Sequence, residues 1–325
     1  MNVTILGAGA WGTALGKILH DGGHAVTLWD IDAPTLEAVR SGRNERYLPG
    51  VDLPRDWQVE ADWDRATTGR ECLVFAVPSK AFRAVAARLR GAPPILVSVT
   101  KGIEYDTGLT MCRVLKEQAP NNGIAALSGP TFAYEVAKGI PTAIVCASEN
   151  EAVSRQVQQL FHRPAFRVYR STDLVGVELG GALKNIIAIG AGVCDGLGYG
   201  DNSKAALVTR ALAEMRRFGV ACGAQAETFG GLSGLGDLTL TCFSHLSRNR
   251  ALGERIGRGE TMEAIMASAP KLAEGYPTAR SAYRLARQLN VTTPIIDEVH
   301  AMLYEGKNVR QAVQDLLNRA LKAED

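Results

Sequence analysis

The sequence predicts an α/β chain: a doubly wound, mostly parallel sheet in the first half and an all-helical second half. Three observations carry this expectation. Short apolar runs alternate with helical patterns as far as residue 169, the runs are continuously apolar, and the strand rhythm stops after Arg170. Strands without an apolar/polar alternation are those covered on both faces, which selects a layered parallel sheet over a sandwich.

The expected strands, in order, are Val3 to Leu6, Ala25 to Trp29, Cys72 to Val77, Ile95 to Val99, Ile124 to Leu127, Thr142 to Ala147 and Phe166 to Tyr169. Between the second and third, Asp32-Ala33-Pro34 supplies a capping side chain and a proline suited to a first helical turn. Asn44 to Pro54, with Pro49-Gly50, is expected to be a surface loop. From Asp173 onward the apolar spacing is helical, as at Val208, Ala211, Leu212 and Met215. The change of period puts the domain boundary near Tyr169 to Thr172, giving domains 1–171 and 172–325, in line with about 150 residues per domain.

Composition narrows the function. Lys plus Arg number 36 against 34 Asp plus Glu, a net charge of +2, so no field favours nucleic acid or an anionic membrane surface and a small-molecule partner is expected. The six cysteines form no C-x-x-C pair and lie far apart, which fits reduced thiols in a cytoplasm. Neither a leader-like start nor an apolar run of membrane length is present, so no membrane span is expected. Five scattered histidines give no ligand spacing, and no metal is assigned.

Directly after the first strand stands Gly7-Ala8-Gly9-Ala10-Trp11-Gly12, followed by a helical run. The first glycine permits a tight turn, the second lets a pyrophosphate approach the backbone, and the third lets helix and strand pack closely. Asp30, at the end of the second strand, lies near the spacing expected of a carboxylate that accepts a ribose hydroxyl. Strand, glycine loop, helix and acid together point to a Rossmann dinucleotide site; the bland reading of Asp30 is a helix cap, for which Asp32 competes.

In the second half, Glu178 to Gly192 is an apolar stretch holding Lys184. Its helical neighbours at three and four residues are Gly180, Gly181, Ile187 and Ala188, so no local carboxylate can pair with it. Desolvation would lower a lysine pKa and ready it for proton exchange, although a lone lysine on an apolar helix more often snorkels. Gly231 to Thr241, with Asp237, and Ser247-Arg248-Asn249-Arg250 form a second polar region whose donors suit a phosphate, or simply a solvated cap. Lys101-Gly102 and Ser128-Gly129-Pro130-Thr131 follow expected strands, at the sheet edge where ligands of open α/β sheets bind.

Taken in order, the glycine loop, Thr100-Lys101-Gly102, Ser-Gly-Pro-Thr-Phe-Ala at 128–133, Gly-Gly-Ala-Leu-Lys-Asn at 180–185, Gly-Leu-Gly-Asp-Leu at 234–238 and Ser-Arg-Asn-Arg at 247–250 closely resemble the soluble, bacterial-type NAD(P)-dependent glycerol-3-phosphate dehydrogenases. The resemblance spans nearly the whole chain. It implies reversible reduction of dihydroxyacetone phosphate to sn-glycerol 3-phosphate, supplying glycerophospholipid synthesis. By the same resemblance Lys184 is the acid/base, Asp237 orients it, and Lys101 touches nicotinamide and substrate. Gly129 and Thr131 would hold substrate, and Ser247, Arg248 and Asn249 its phosphate, with Arg248 also near the cofactor. Gly7, Gly9, Trp11, Gly12, Asp30, Ala133, Leu272 and Glu274 match cofactor-contacting positions. Either NAD or NADP fits; Asp30 and Asp32 would repel a 2′-phosphate and tilt the expectation to NAD, whereas Arg43 or Arg46 could reverse it. A homodimer is expected only because it is the commonest oligomer.

Two rival readings remain at this level. One is a reductase of phosphate-free keto acids on the same fold; the other is a dinucleotide-binding regulator without turnover, which would leave Lys101, Lys184 and Asp237 without a role.

Overall fold

The computed structural model describes residues 1–91, 93–268, 273–321 and 323. It divides into two compact units, one of Met1–Gly102 with Leu109–Glu178, the other of Ile103–Gly108 with Leu179–Asp325.

The first unit opens with β1 (Asn2–Leu6), α1 (Ala10–Asp21), β2 (Ala25–Trp29) and α2 (Ala33–Arg40). It continues through β3 (Arg43–Asn44), β4 (Leu48–Asp52), β5 (Gln58–Glu60), α3 (Trp63–Thr67), β6 (Cys72–Phe75), α4 (Ser79–Ala86) and β7 (Ile95–Ser98). Beyond these come α5 (Met111–Gln118), β8 (Gly123–Ser128), α6 (Ala133–Ala137), β9 (Thr142–Ala147), α7 (Glu151–Phe161) and β10 (Phe166–Ser171). Among the described residues the main sheet has the order β10-β9-β8-β7-β6-β1-β2-β5. Its pairings are parallel except β8 with β9. Strands β1, β6 and β7 are buried along nearly their whole length, which is why they read as unbroken apolar runs. Val3, Ile5, Val74 and Val97 from these strands, with Ala125 of β8, join Ala14, Leu15 and Leu19 of α1 in one core.

Two details depart from the sequence reading. The expected loop Asn44 to Pro54 contains β4, which pairs antiparallel with β3 at the loop's start, and Asn44, Leu48 and Val51 are buried. Leu48 and Val51 anchor the segment to the core, so Pro49-Gly50 lies within β4 and Gly50 takes a positive φ of 68° there. The edge strand β5 is three residues long and carries no apolar run, so periodicity gave no signal for it.

The second unit is helical: most of α8 (Leu174–Gly196), then α9 (Asp201–Ala221), a 3-10 turn at Ala226–Gly230 and a π turn at Leu232–Gly236. They are followed by α10 (Asp237–Phe243), α11 (Arg248–Gly257), α12 (Met262–Ser268), α13 (Gly275–Gln288), α14 (Pro294–Tyr304) and α15 (Val309–Leu317). The sheet ends at Ser171, whereas the compact units divide at Glu178, because the first turn of α8 packs with the sheet unit. Helix α8 is long and apolar enough to cross a membrane, yet 94% of that window is buried inside the protein. It is a core helix. Helices α8 and α11 approach until backbones touch: a Cβ on Gly192 would overlap the carbonyl oxygen of Arg250, and one on Gly253 that of Ile189.

Candidate active site

In the sheet unit the predicted residues gather where parallel strands end. Gly7 follows β1 with φ 113°, its N–H donates to Trp29 O at 2.7 Å, and a Cβ there would stand 2.7 Å from Ala76 O. Only glycine suits that turn. A Cβ on Gly12 would overlap Gly7 O, so this position must be bare for α1 to seat on β1. Gly9 is different: a Cβ would meet nothing within 4 Å, so its bareness serves no packing. The open side of Gly9 and the first-turn N–H groups of α1 leave bare backbone donors of the kind that bind a pyrophosphate.

Asp30 braces this loop. One carboxylate oxygen accepts from Ala8 N at 2.7 Å and the other from Asp32 N at 3.0 Å. It does not cap α2, whose N-cap is Asp32. Each oxygen retains acceptor capacity for a hydroxyl. Asn44, which the sequence reading left unassigned, donates to Ala8 O and to Thr13 Oγ1, both at 3.0 Å, and fixes the loop from the far side. No local signal in a polar loop marks such a residue. Arg46 sits 3.1 Å from Asp32, and Arg43 lies 3.4 Å from Glu45 and 3.6 Å from Asp52.

Lys101 and Gly129 follow the neighbouring parallel strands β7 and β8. Lys101 Nζ donates to Gly129 O at 3.0 Å, and Thr131 Oγ1 donates to the same carbonyl at 3.1 Å. Gly129 holds φ 156° with a Cβ position 3.2 Å from the Ile144 backbone, so a side chain would crowd β9. Ala133 begins α6, which packs on α1, and Trp11 stands half-buried in the first turn of α1.

In the helical unit Lys184 finds the carboxylate that its neighbours three and four residues away on the helix lack. Its Nζ lies 2.9 Å from Asp237 Oδ1 and donates to Thr241 Oγ1 at 2.7 Å. Thr241 in turn donates to Asp237 O at 2.6 Å. The Lys184 side chain is 9% exposed and that of Asp237 1%. The π turn ends where Asp237 opens α10, and Gly180 lets its backbone press on α8, since a Cβ there would be 2.5 Å from Ser233 O. Thr241 stands four residues after Asp237 on α10; that i, i+4 relation is the signal by which it could have been found.

Ser247 caps α11, its Oγ accepting from Arg250 N at 3.1 Å. Asn249 donates to Asn185 Oδ1 and accepts from Gly275 N, both at 2.8 Å. Arg248 is exposed at the same helix start, and Glu274 is the half-buried N-cap of α13. Leu272 lies outside the described residues. Lys184, Asn185, Asp237, Thr241 and Asn249 thus form one buried polar cluster where α8, α10 and the start of α11 meet, an arrangement suited to moving a proton at a polarised oxygen.

Family models match most of the chain. One described as NAD-dependent glycerol-3-phosphate dehydrogenase N-terminus matches residues 2–154, and its C-terminal counterpart matches 173–314. The glycerol-3-phosphate dehydrogenase [NAD(P)+] of Syntrophotalea carbinolica is 51% identical over 100% of this chain and 99% of its own length. The chain belongs to the NAD-dependent glycerol-3-phosphate dehydrogenase family. The crystal structure of glycerol-3-phosphate dehydrogenase from Coxiella burnetii superposes with a TM-score of 0.93 at 36% identity, covering 98% of this chain and 99% of that one. A D-mandelate dehydrogenase complexed with NADH also aligns, covering 98% of this chain and 100% of its own, at 13% identity and TM-score 0.62. That likeness extends to the fold alone, so the keto-acid rival gains nothing beyond a shared scaffold.

Proposed function

We propose that this chain catalyses the reversible NAD(P)H-dependent reduction of dihydroxyacetone phosphate to sn-glycerol 3-phosphate, with residues 1–171 as the dinucleotide-binding domain, which also lends residues to the substrate, and 172–325 as the helical substrate and catalytic domain. The observation that carries this reading is the buried Lys184–Asp237–Thr241 cluster in a chain of this family.

The dinucleotide would be held by Gly7, Gly9, Trp11, Gly12 and Asp30, with Lys101, Ala133, Arg248 and Glu274 beside it; when bound it supplies the hydride. The carbonyl oxygen of the substrate gains negative charge as it is reduced. Lys184 gives that oxygen a proton, and Asp237 with Thr241 keeps its ammonium in place and aimed. Lys101, tethered to Gly129 O, adds a second positive charge, and Gly129 with Thr131 holds the substrate. Ser247, Arg248 and Asn249 at the start of α11 bind the phosphate, so that affinity gained far from the reacting carbon fixes its position.

NAD is the preferred cofactor in this reading. Arg46, the residue best placed to answer a 2′-phosphate, is already engaged by Asp32. The protein acts in the cytoplasm, where its six free thiols are stable, as a homodimer, and its product feeds glycerophospholipid synthesis. The test is the absorbance of NADH and NADPH, in parallel, on adding dihydroxyacetone phosphate to purified protein. Rapid oxidation with NADH favoured is expected; oxidation of neither, or turnover of phosphate-free keto acids instead, overturns the assignment. Faster NADPH oxidation removes Asp30 and Asp32 as the determinants of cofactor choice.

A further inference from the structure

A second buried charge cluster lies along α8 beyond Lys184. Asp195, in the last turn of the helix, sits 2.5 Å from Lys204 Nζ of α9 and 2.7 Å from Arg250 Nε of α11. The Arg250 contact is a close approach of charges without the alignment of a hydrogen bond. Arg250 also lies 3.4 Å from Glu254. The Lys204 and Arg250 side chains are 9% and 6% exposed, so one carboxylate serves two cations that water hardly reaches. Breaking such a pairing is strongly unfavourable, because it strands a charge in a medium of low polarisability.

The position of Arg250 gives the cluster its meaning. It is the residue after Ser247-Arg248-Asn249, and its own N–H is capped by Ser247 Oγ. Its carbonyl presses on Gly192, three residues before Asp195 on α8. The first turn of α11 is therefore held to α8 at two points: backbone against glycine at Gly192, and ion pair at Asp195. The helix that carries Lys184 also sets the place of Ser247 and Asn249.

We infer that Asp195 is a positioning residue for substrate-phosphate recognition, holding Arg250 and Lys204 so that the start of α11 presents its donors in register with Lys184. This rests on the reading that Ser247, Arg248 and Asn249 bind the phosphate. Asp195 fulfils a second need as well. By occupying two buried cations it keeps them from competing with the motif for a dianion. Without it, Lys204 and Arg250 repel one another across a neutral amide, the first turn of α11 moves, and the phosphate donors lose their alignment while Lys184 keeps its contacts with Asp237 and Thr241 of α10.

The experiment is Asp195→Asn, with steady-state kinetics on dihydroxyacetone phosphate and inhibition by inorganic phosphate. A rise of about tenfold or more in both KM and the inhibition constant of phosphate is expected, with kcat within about twofold of wild type and any loss of NADH affinity, through Arg248, at least about threefold smaller than the loss of phosphate affinity. Asp195→Glu should restore much of the loss. Should Asp195→Asn fold poorly, the double variant Asp195→Asn with Lys204→Met removes one cation with the carboxylate; it keeps Arg250 without its Asp195 anchor but lifts the repulsion, so a smaller rise in the same two constants, at least about threefold, is expected. Unchanged KM and phosphate inhibition overturn the proposal. So does a parallel fall in kcat, NADH affinity and melting temperature, which marks a merely structural residue. If inorganic phosphate fails to compete with substrate in the wild type, the phosphate reading of the motif itself falls, and the role of Asp195 with it.

Discussion

Replacing Lys184 by Met separates the catalytic from the structural work of one ammonium group. The pair it forms with Asp237 is 2.9 Å long, and the carboxylate is 1% exposed. Removing only the cation leaves a charge that solvent cannot reach, and such removals destabilise by about 3–5 kcal/mol. At roughly 2–4 °C per kcal/mol for a domain of this size, the helical unit should melt some 6–20 °C lower, roughly. In the proposed mechanism the same change takes away the proton donor and the positive charge at the developing alkoxide, which should lower kcat at least about 1000-fold, or about 4 kcal/mol. Pairing Lys184→Met with Asp237→Asn tells the two effects apart. The double variant carries no stranded carboxylate, so it should regain most of the lost melting temperature and none of the activity. The assays are a thermal melt followed by circular dichroism and NADH oxidation at saturating substrate. Turnover above about a tenth of wild type in Lys184→Met would refute the proton-donor role. An unchanged melt would show that the pair is not what stabilises this cluster.

Two further outcomes follow from the structure. Gly9→Ala should fold and melt like wild type, since its Cβ enters open space, yet lose dinucleotide affinity by at least about tenfold, whereas Gly12→Ala should destabilise the fold by about 1–3 kcal/mol through its clash with Gly7 O. Isothermal titration with NADH and urea unfolding check the contrast, and equal binding losses without any difference in stability would refute it. Burial pushes the Glu214 carboxyl up to about 7, against the N–H groups of Ile295 and Ile296 that it accepts from, and burial likewise puts Glu178 at about 7. A native carboxyl raised above its unfolded value of 4.5 binds protons more tightly than the unfolded chain, so stability falls as pH rises from 4.5 to 7, by about 3 kcal/mol per group. His24 and His300, pushed down by burial, contribute the opposite slope below 6.5, so the informative quantity is the difference between wild type and Glu214→Gln. Urea midpoints at pH 5 to 8 should show that difference rising by about 3 kcal/mol in favour of the variant, and parallel curves would refute it.

The sequence by itself determined most of the main sheet and the glycine loop. These are local matters: continuous apolar runs report strands buried on both faces, and Gly7 and Gly12 report backbone that must come close. Glu214 shows where such reading stops, since it lies on the buried face of α9 beside Met215, and its partners are N–H groups of a helix some eighty residues later. Asn44 is similar, a loop residue by composition and a buried brace of the glycine loop in three dimensions. Lys184 is the clearest case. Its spacing shows an ammonium without a local partner, and only the fold brings Asp237 and Thr241 from α10 against it. Periodicity encodes which face of an element is apolar, and that pattern repeats within one turn or one strand. A charge pair between helices depends on close backbone approach at Gly180, Gly192 and Gly253, which is set by packing over the whole unit and leaves no periodic trace in the chain.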